Sequence, residues 1–295
     1  MWSLGFRSIT FVPTFVVREP FEIGLDYTPP LATIRAVLMH ALTLGMDVKL
    51  EPHIDWQSTL DSTGEWRGLM RFDPCGAYSD RVIGPLRDLA IEAKGTYPER
   101  RVSLTLGSEV DRSVREFPDS WMELRIKAAA AGVDVGHKLN HDAPSALFRT
   151  RYLANLDYVS FSFYPTLNFV RPLEWWVAPP TSEQLETLAN AFESRAAALE
   201  RKLPLGPEFQ IGEFGLGSAD VVYPYKLDQQ FFHDMDAGSR ELRRKYYAGF
   251  LLSVPRLAKV GSVTFWSAGY FDFLGVFADQ YKDETLISLV EAYNY

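Results

Sequence analysis

Hydrophobic and polar positions alternate along the chain in two repeating patterns. Short apolar runs rich in β-branched and aromatic residues predict strands, and longer segments with apolar residues three and four positions apart predict helices. The predicted strands cover 8–17, 47–53, 102–108, 133–140, 157–163, 208–212 and 262–267. The predicted helices cover 30–44, 80–94, 119–131, 145–155, 182–202, 239–259 and 284–293. Because strand and helix follow one another along the chain, the pattern favours an α/β protein with a parallel sheet.

Local signals support this alternation and indicate a single domain. Gly45 and Gly132 each precede a predicted strand and suit the left-handed residue that ends a helix. Thr181 and Gln184 have the spacing of a capping box at the start of the helix predicted from 182. Since no linker or low-complexity run divides the chain, we expect residues 1–295 to form one barrel domain.

The predicted fold is a (β/α)8 barrel of the TIM type, with its first strand and helix unit missing or supplied otherwise. Seven strands are predicted, whereas a closed barrel of this kind needs eight. The segment 1–6 resembles the end of a helix that leads directly into the strand from Ser8. We therefore expect another segment or another chain to complete the barrel. Met1 is not followed by the pattern of a signal peptide, which predicts a cytoplasmic location if this start is native.

Composition narrows the classes of function. The formal net charge of −8 argues against a nucleic-acid partner and against docking on an anionic membrane. No stretch approaches the roughly 20 apolar residues of a membrane span. A single cysteine, Cys75, excludes an internal disulfide and a thiolate metal cluster. The aromatic content of 14% suits ligands with flat apolar faces, such as sugars.

Polar residues at the carboxyl ends of barrel strands point into the active site of such folds. Two carboxylates stand out among them, because Glu109 and Glu213 each follow a β-rich run and have glycines close by. A pair of carboxylates on one face is what glycoside hydrolysis requires. The other polar or aromatic residues predicted at strand ends are His53, Asp55, Ser108, Asn140, Asp142, Tyr164 and Trp266.

Several of these segments resemble one family. The segment KLEPHID at 49–55, followed by GEWRG at 64–68, resembles a signature of glycoside hydrolase family 113, the clan A β-mannanases. The segments 106–109, 157–165, 208–215 and 265–266 resemble the fourth, sixth, seventh and eighth strands of that family. The resemblance covers about residues 5–275. It implies the (β/α)8 fold, a retaining mechanism, β-mannan-type substrates and no cofactor.

The resemblance also implies roles for individual residues. Glu213 matches the nucleophile and Glu109 the acid/base residue, with Tyr164 placed to donate a hydrogen bond to Glu213. Trp266 matches the tryptophan of the eighth strand. Ser108 stands where clan A enzymes often have an asparagine that binds a sugar hydroxyl.

His53 and Asp55 follow a strand with one residue between them. His53 is expected to bind a sugar hydroxyl or, as an alternative, to orient a carboxylate. A catalytic metal is not expected, because the chain has no His-x-His pair and His137 and His141 lie across a strand end. Aromatic residues in the predicted loops indicate sugar stacking, above all Trp175 and Trp176 beside several prolines. The residues predicted to bind substrate are His53, Asp55, Trp66, Ser108, Asn140, Tyr164, Trp175, Trp176 and Trp266.

The sequence therefore predicts a retaining glycoside hydrolase that acts on β-1,4-linked mannan, glucomannan or manno-oligosaccharides. Three alternatives stay open at this point. One is a carbohydrate-binding barrel that has lost catalysis, the second is a hydrolase of another β-glycan, and the third is a metal-dependent hydrolase.

Overall fold

A computed structural model describes residues 6–18, 22–24, 30–56, 67–140, 142–165, 174–175, 178–215, 237–257, 259–265 and 288. Its strands are β1 (Ser8–Phe11), β2 (Thr14–Arg18), β3 (Glu22–Gly24), β4 (Asp47–Leu50), β5 (His53–Trp56), β6 (Val102–Ser108), β7 (Val133–Asn140), β8 (Tyr158–Phe163), β9 (Glu208–Phe214) and β10 (Val260–Phe265). Its helices are α1 (Leu31–Thr43), α2 (Gly84–Thr96), α3 (Asp111–Glu116), α4 (Pro118–Ala128), α5 (Arg151–Ala154), α6 (Ser182–Glu200) and α7 (Ala237–Ser253).

The main sheet is the wall of a barrel. Seven strands pair in parallel in the order β1-β4-β6-β7-β8-β9-β10. At the two edges, the ring of Phe6, just before β1, meets the ring of Phe265, at the end of β10, with centroids 6.4 Å apart. The predicted (β/α)8-type barrel is therefore confirmed, with seven of its eight strands present in the described residues.

Two prolines divide the first part of the sheet. The strand predicted over 8–17 breaks at Pro13 into β1 and β2, and the strand predicted over 47–53 breaks at Pro52 into β4 and β5. Proline has no N–H for a strand ladder, so the pairing changes at these positions. Beyond them β2 pairs with β5 in parallel and with β3 in antiparallel direction. This small second sheet holds His53 and Asp55 at the mouth of the barrel.

The strands are apolar because most of them are covered on both faces. Every residue of β6 and of β8 is buried, as expected for a parallel sheet with side chains inside the barrel and helices outside it. Helix α6 buries Leu188, Phe192 and Leu199, and the ring of Phe192 packs against Phe163 of β8 and Phe214 of β9. Trp121 of α4 is fully buried in the core. No helix among the described residues is long and apolar enough to cross a membrane.

The helix ends follow their local signals in two places. The Thr181 hydroxyl accepts a hydrogen bond from the Gln184 N–H, and the Gln184 side chain accepts one from the Thr181 N–H, so the predicted capping box is confirmed. Gly45, two residues beyond the end of α1, has a φ of 83°, as the prediction of a left-handed residue required.

Other predicted helices differ from the structure. Helix α4 ends at Ala128, so Gly132, with a φ of 77°, belongs to the turn before β7 and not to the helix end. The helix predicted over 145–155 is a 3₁₀ turn at Leu147–Arg149 followed by α5. The two are separated because Thr150 is extended and its hydroxyl caps α5. The helix predicted over 284–293 lies outside the described residues except for Ser288.

Candidate active site

Glu109 follows β6 directly and has an unusual backbone conformation. Its φ is 58°, a left-handed value that costs a non-glycine residue about 1–3 kcal/mol and that clusters at functional sites. The Glu109 N–H donates to the carbonyl oxygen of Lys138 at 2.8 Å, which fixes this turn. Two residues earlier, a Cβ on Gly107 would lie 2.5 Å from the His137 ring and 2.8 Å from Trp121. The glycine therefore lets the strand end approach these rings closely.

Glu213 lies near the end of β9, and donors hold both oxygens of its carboxylate. Oε1 accepts a short hydrogen bond from the Tyr164 hydroxyl, and Oε2 accepts one from the Lys138 ammonium at 2.6 Å. Burial and the negative charge of Glu213 raise the pKa of Tyr164 well above its ordinary value. The tyrosine thus keeps its proton and acts as a donor. Two donors, one of them charged, thus hold the two oxygens of the Glu213 carboxyl group in place.

The Glu109 carboxyl lies in a different environment. It is buried, and its Oε2 accepts a hydrogen bond from Arg67 at 3.0 Å. Burial raises the pKa of Glu109 above its ordinary value, and the negative charge of Glu213 raises it further. The positive charges of Lys138 and Arg67 oppose this increase only in part. Glu109 therefore loses its proton less readily than an exposed glutamate does.

Arg67 connects Glu109 to the residues of the small sheet. Its guanidinium donates to Asp55 at 3.0 Å and to Nδ1 of His53 at 2.8 Å. Arginine has no acceptor, so Nδ1 accepts and the proton of the neutral imidazole is on Nε2. Burial and the positive charges of Lys138 and Arg67 lower the pKa of His53 to about 4, which keeps the ring neutral at pH 7. Both ring nitrogens of His53 face protein groups, which favours its orienting role.

A buried lysine and a buried glutamate complete the centre, and the sequence did not predict either of them as a site residue. The Lys138 ammonium lies 2.5 Å from Glu51, 2.6 Å from Glu213 and 3.3 Å from Nε2 of His53. Burial alone would lower the pKa of Lys138, but the charges of Glu51 and the two other carboxyls raise it above its ordinary value. For Glu51 burial acts in the opposite direction, and Lys138 is the main cause of a pKa far below the usual range. The available signal was a charged residue within an apolar strand segment, because such residues are rarely buried without a partner.

One set of possible metal ligands occurs in the part of the chain that the structure describes. Ligand atoms of Glu51, His53 and Glu213 lie within 4.8 Å of one another. The Lys138 ammonium contacts all three of these residues. A protein cation thus already supplies positive charge at the centre of this set.

The other residues predicted to bind substrate either make no hydrogen bond to Glu109 or Glu213 or lie outside the described residues. The Ser108 hydroxyl is buried and has no hydrogen-bond partner among the described residues. Asn140 donates to Asp111 at 3.2 Å, and burial raises the pKa of Asp111 to about 7. The ring of Trp175 lies 4.7 Å from the Lys245 ammonium. Trp66, Trp176 and Trp266 lie outside the described residues.

The site therefore contains two strand-end carboxyls in contrasting environments. Donors contact both oxygens of the Glu213 carboxyl. Burial and the negative charge of Glu213 raise the pKa of the Glu109 carboxyl. Contrasting environments of two neighbouring carboxyls are typical of chemistry that uses one as an acid and the other as a nucleophile.

Solved structures provide the comparison, since no family model matches the sequence and curated protein sequences give no significant match. A glycoside hydrolase family 113 β-1,4-mannanase matches 98% of this chain and 87% of its own, with a TM-score of 0.64 and 16% identity. The family 113 β-mannanase from Alicyclobacillus acidocaldarius in complex with ManMIm matches the same shares, with a TM-score of 0.63 and 17% identity. A family 5, subfamily 18 glycoside hydrolase from Bifidobacterium longum in complex with Manβ1-4GlcNAc covers 99% of this chain and 70% of its own, with a TM-score of 0.54 and 14% identity.

The chain has the fold of clan A glycoside hydrolases. This confirms the resemblance to family 113 at the level of the barrel, over nearly the whole chain. The structural neighbours are mannanases and other glycoside hydrolases. At this level of identity the likeness concerns the fold, and the chemistry has to be argued from the site.

Proposed function

We propose that the protein is a retaining glycoside hydrolase that cleaves β-1,4-linked mannan-type glycans. The observation that carries the proposal is the contrast between Glu109 and Glu213. Glu213 is held by Tyr164 and Lys138, whereas burial and the negative charge of Glu213 raise the pKa of Glu109, as a general acid requires. The shared fold of the family 113 mannanases supports the substrate class.

The reaction takes place in two displacements. In the first, the Glu213 carboxylate attacks the anomeric carbon while Glu109 transfers its proton to the glycosidic oxygen, and the leaving sugar departs as an alcohol. In the second, the ionised Glu109 takes a proton from water, whose oxygen attacks the same carbon and displaces Glu213. The configuration at the anomeric carbon is retained. We expect the two carboxyl groups to be about 5–5.5 Å apart in the working enzyme.

Substrate binding is assigned to the rim of the barrel. We propose that the loop with Trp175 and Trp176 lines a sugar subsite, together with Trp66 and Trp266, because indole rings stack on the C–H faces of sugars. Asn140 and Ser108 offer polar groups beside the acid/base residue. Replacing Trp176 with Ala should raise KM on long manno-oligosaccharides more than on short ones. Equal effects at every length would assign this ring to packing.

The catalytic pair is tested by substitution at both carboxyls. Glu213→Gln should abolish hydrolysis of manno-oligosaccharides and glucomannan, because the amide keeps the shape and loses the nucleophile. Glu109→Ala should hydrolyse an aryl β-mannoside with a good leaving group and gain rate with azide, since that substrate needs no acid and the anion replaces activated water. The product should be the β-mannosyl azide.

Glu208→Gln provides a matched control. Glu208 begins the same strand as Glu213 but pairs with Arg101, away from the barrel mouth, so near wild-type activity is expected. Near wild-type activity of Glu213→Gln would contradict the proposal. Binding of oligosaccharide without any release of reducing ends by the wild-type protein would favour a carbohydrate-binding barrel instead.

A further inference from the structure

We propose that Lys245 is a positioning residue that fixes Trp175 at the mouth of the barrel and thereby determines how well long glycans bind. The inference rests on the proposed function and deepens it, because Trp175 is assigned there to a sugar subsite. It adds a residue of helix α7 that belongs neither to the catalytic pair nor to the strand ends.

The Lys245 ammonium contacts Trp175 in two ways. It donates a hydrogen bond to the main-chain carbonyl oxygen of Trp175, and it lies over the indole ring, 4.7 Å from the ring centroid. The hydrogen bond holds the main chain at the peptide bond that joins Trp175 to Trp176. The cation–π interaction holds the side chain and occupies one face of its ring. One ammonium therefore fixes both the position of Trp175 and the orientation of its ring.

Lys245 is a buried cation, and Trp175 is the partner that compensates for its burial. The lysine side chain is fully buried, and lysine is almost never fully buried without a partner. Among the described residues, Glu241 is the one carboxylate that raises the pKa of Lys245, and Glu241 is itself paired with Arg244. Burial nevertheless lowers the pKa of Lys245 to about 8, so the side chain is still charged at pH 7. The carbonyl and the ring of Trp175 stabilise this charge.

Neighbouring contacts place the pair at the mouth of the barrel. Trp175 follows β8, in the connection to α6, and such connections begin at the carboxyl ends of the strands. On α7, the ring of Tyr246, next to Lys245, stacks on the ring of Phe214 with centroids 5.4 Å apart. Phe214 directly follows Glu213 in β9. Lys245 therefore connects Trp175 to the barrel wall at the level of the proposed nucleophile.

The expected consequence concerns the length of the substrate. A sugar bound at a remote subsite gains most affinity when the aromatic ring that receives it is already in place, because ordering a side chain on binding costs free energy. A short substrate that does not reach the subsite does not depend on that ring. Loss of the ammonium should therefore weaken the binding of long glycans more than the binding of short ones.

Substitutions at both partners test this consequence. Lys245→Met removes the charge and the donor, and it should raise KM on mannohexaose by about two- to thirtyfold, more than KM on an aryl β-mannoside. Lys245→Arg keeps a cation that can donate and stack, so it should recover part of the affinity for long substrates. Trp175→Ala should reproduce the length dependence. The double variant should be no worse than Trp175→Ala alone, because the lysine acts through this tryptophan.

Lys202→Met provides a matched control. The Lys202 ammonium also lies over an aromatic ring, 5.7 Å from the centroid of Phe148, but Lys202 follows the end of α6 and precedes β9. That connection is at the end of the barrel opposite the mouth, so this variant should leave KM near the wild-type value at every chain length. If Lys245 served only for stability, Lys245→Met would lower the unfolding free energy without changing the ratio of KM values for long and short substrates.

The experiment measures kcat and KM on manno-oligosaccharides from mannobiose to mannohexaose and on the aryl β-mannoside, with circular dichroism to confirm folding. In parallel, ¹⁹F NMR of protein labelled with fluorotryptophan, with Trp175→Phe for assignment, reports the surroundings of Trp175 without turnover. A rise in KM that grows with chain length, together with a shifted Trp175 signal in Lys245→Met, supports the inference.

Equal changes in KM at every length, an unmoved Trp175 signal, or additive effects in the double variant overturn the inference, even if the wild type is an active mannanase. An inactive wild type would reject the proposed function, whereas calorimetry of oligosaccharide binding by the wild type and Lys245→Met would still decide the role of Lys245. If Lys245→Met does not fold, Lys245→Gln takes its place in the same comparison.

Discussion

Arg67 should set the basic limb of the pH profile through its contact with Glu109. The guanidinium donates to the Glu109 carboxyl at 3.0 Å, and its side chain is only 12% exposed. Two unit charges at this distance attract by roughly 5 kcal/mol at an effective dielectric constant near 20. Because Arg67 is shared with Asp55 and His53, we expect a smaller effect, of about one to three pKa units on Glu109.

The sign follows from the role of Glu109 as the acid. Activity should fall when rising pH removes the proton of Glu109, and its raised pKa places that fall at higher pH than for an ordinary glutamate. Arg67→Met takes away a charge that favours ionisation, so the pKa of Glu109 should rise further and the basic limb of kcat/KM should move to higher pH. Arg67→Lys keeps the charge and should leave the limb closer to that of the wild type. The assay is kcat/KM on a manno-oligosaccharide from pH 4 to about 10.

Measuring the unfolding free energy distinguishes a shifted pKa of Glu109 from a general loss of stability in Arg67→Met. Arg67→Met also leaves Asp55 without this partner, and because the pair is only partly buried we expect a loss of unfolding free energy below the roughly 3–5 kcal/mol of a fully buried pair. Adding Asp55→Asn should recover part of that free energy in urea denaturation while the limb stays shifted. A basic limb that does not move in folded Arg67→Met would refute the reasoning.

Three other results follow from the structure. Tyr164→Phe removes a hydrogen bond worth about 1.5–3 kcal/mol, so kcat/KM should fall roughly ten- to a hundredfold, and an unchanged rate would mean that Glu213 does not need this donor. Gly136→Ala would place a Cβ 2.3 Å from the Tyr158 ring, and urea titration should show the unfolding free energy lowered by at least about 1–3 kcal/mol. In the same titration Gly95→Ala should be neutral or stabilising, because a Cβ at Gly95 would have no atom within 4 Å. Dialysis against EDTA should leave activity intact because Lys138 supplies positive charge among the possible metal ligands, and a loss that zinc restores would contradict this.

The fold could be predicted because its signals are local and repeated. Apolar strands such as 102–108 and amphipathic helices such as 182–200 each have their own pattern, and their alternation indicates a parallel barrel. The errors occur where a single residue overrides the pattern. Pro13 and Pro52 divide strands that were predicted whole, and Thr150 starts a new helical turn within a segment predicted as one helix.

The candidate site was predictable only in part, for a physical reason. Glu109 directly follows a strand, Glu213 lies near the end of one, and both have glycines close by, so position in the chain was enough to select them. Lys138 and Glu51 become meaningful only when β4, β7 and β9 come together around one ammonium. Arg67 does not lie at a predicted strand end, and it is 42 positions away from Glu109 in the sequence, so its contact with Glu109 could not be predicted.

The most direct test of the account is to trap the intermediate on Glu213. A 2-deoxy-2-fluoro β-mannoside with an activated leaving group should glycosylate the nucleophile, with loss of the leaving group, faster than water removes the sugar. Mass spectrometry of the digested protein should then find one fluoromannosyl group, on the peptide that contains Glu213, and none in Glu213→Gln. A label on another residue, or turnover of the natural substrate with inversion of configuration, would contradict a retaining mechanism with Glu213 as nucleophile.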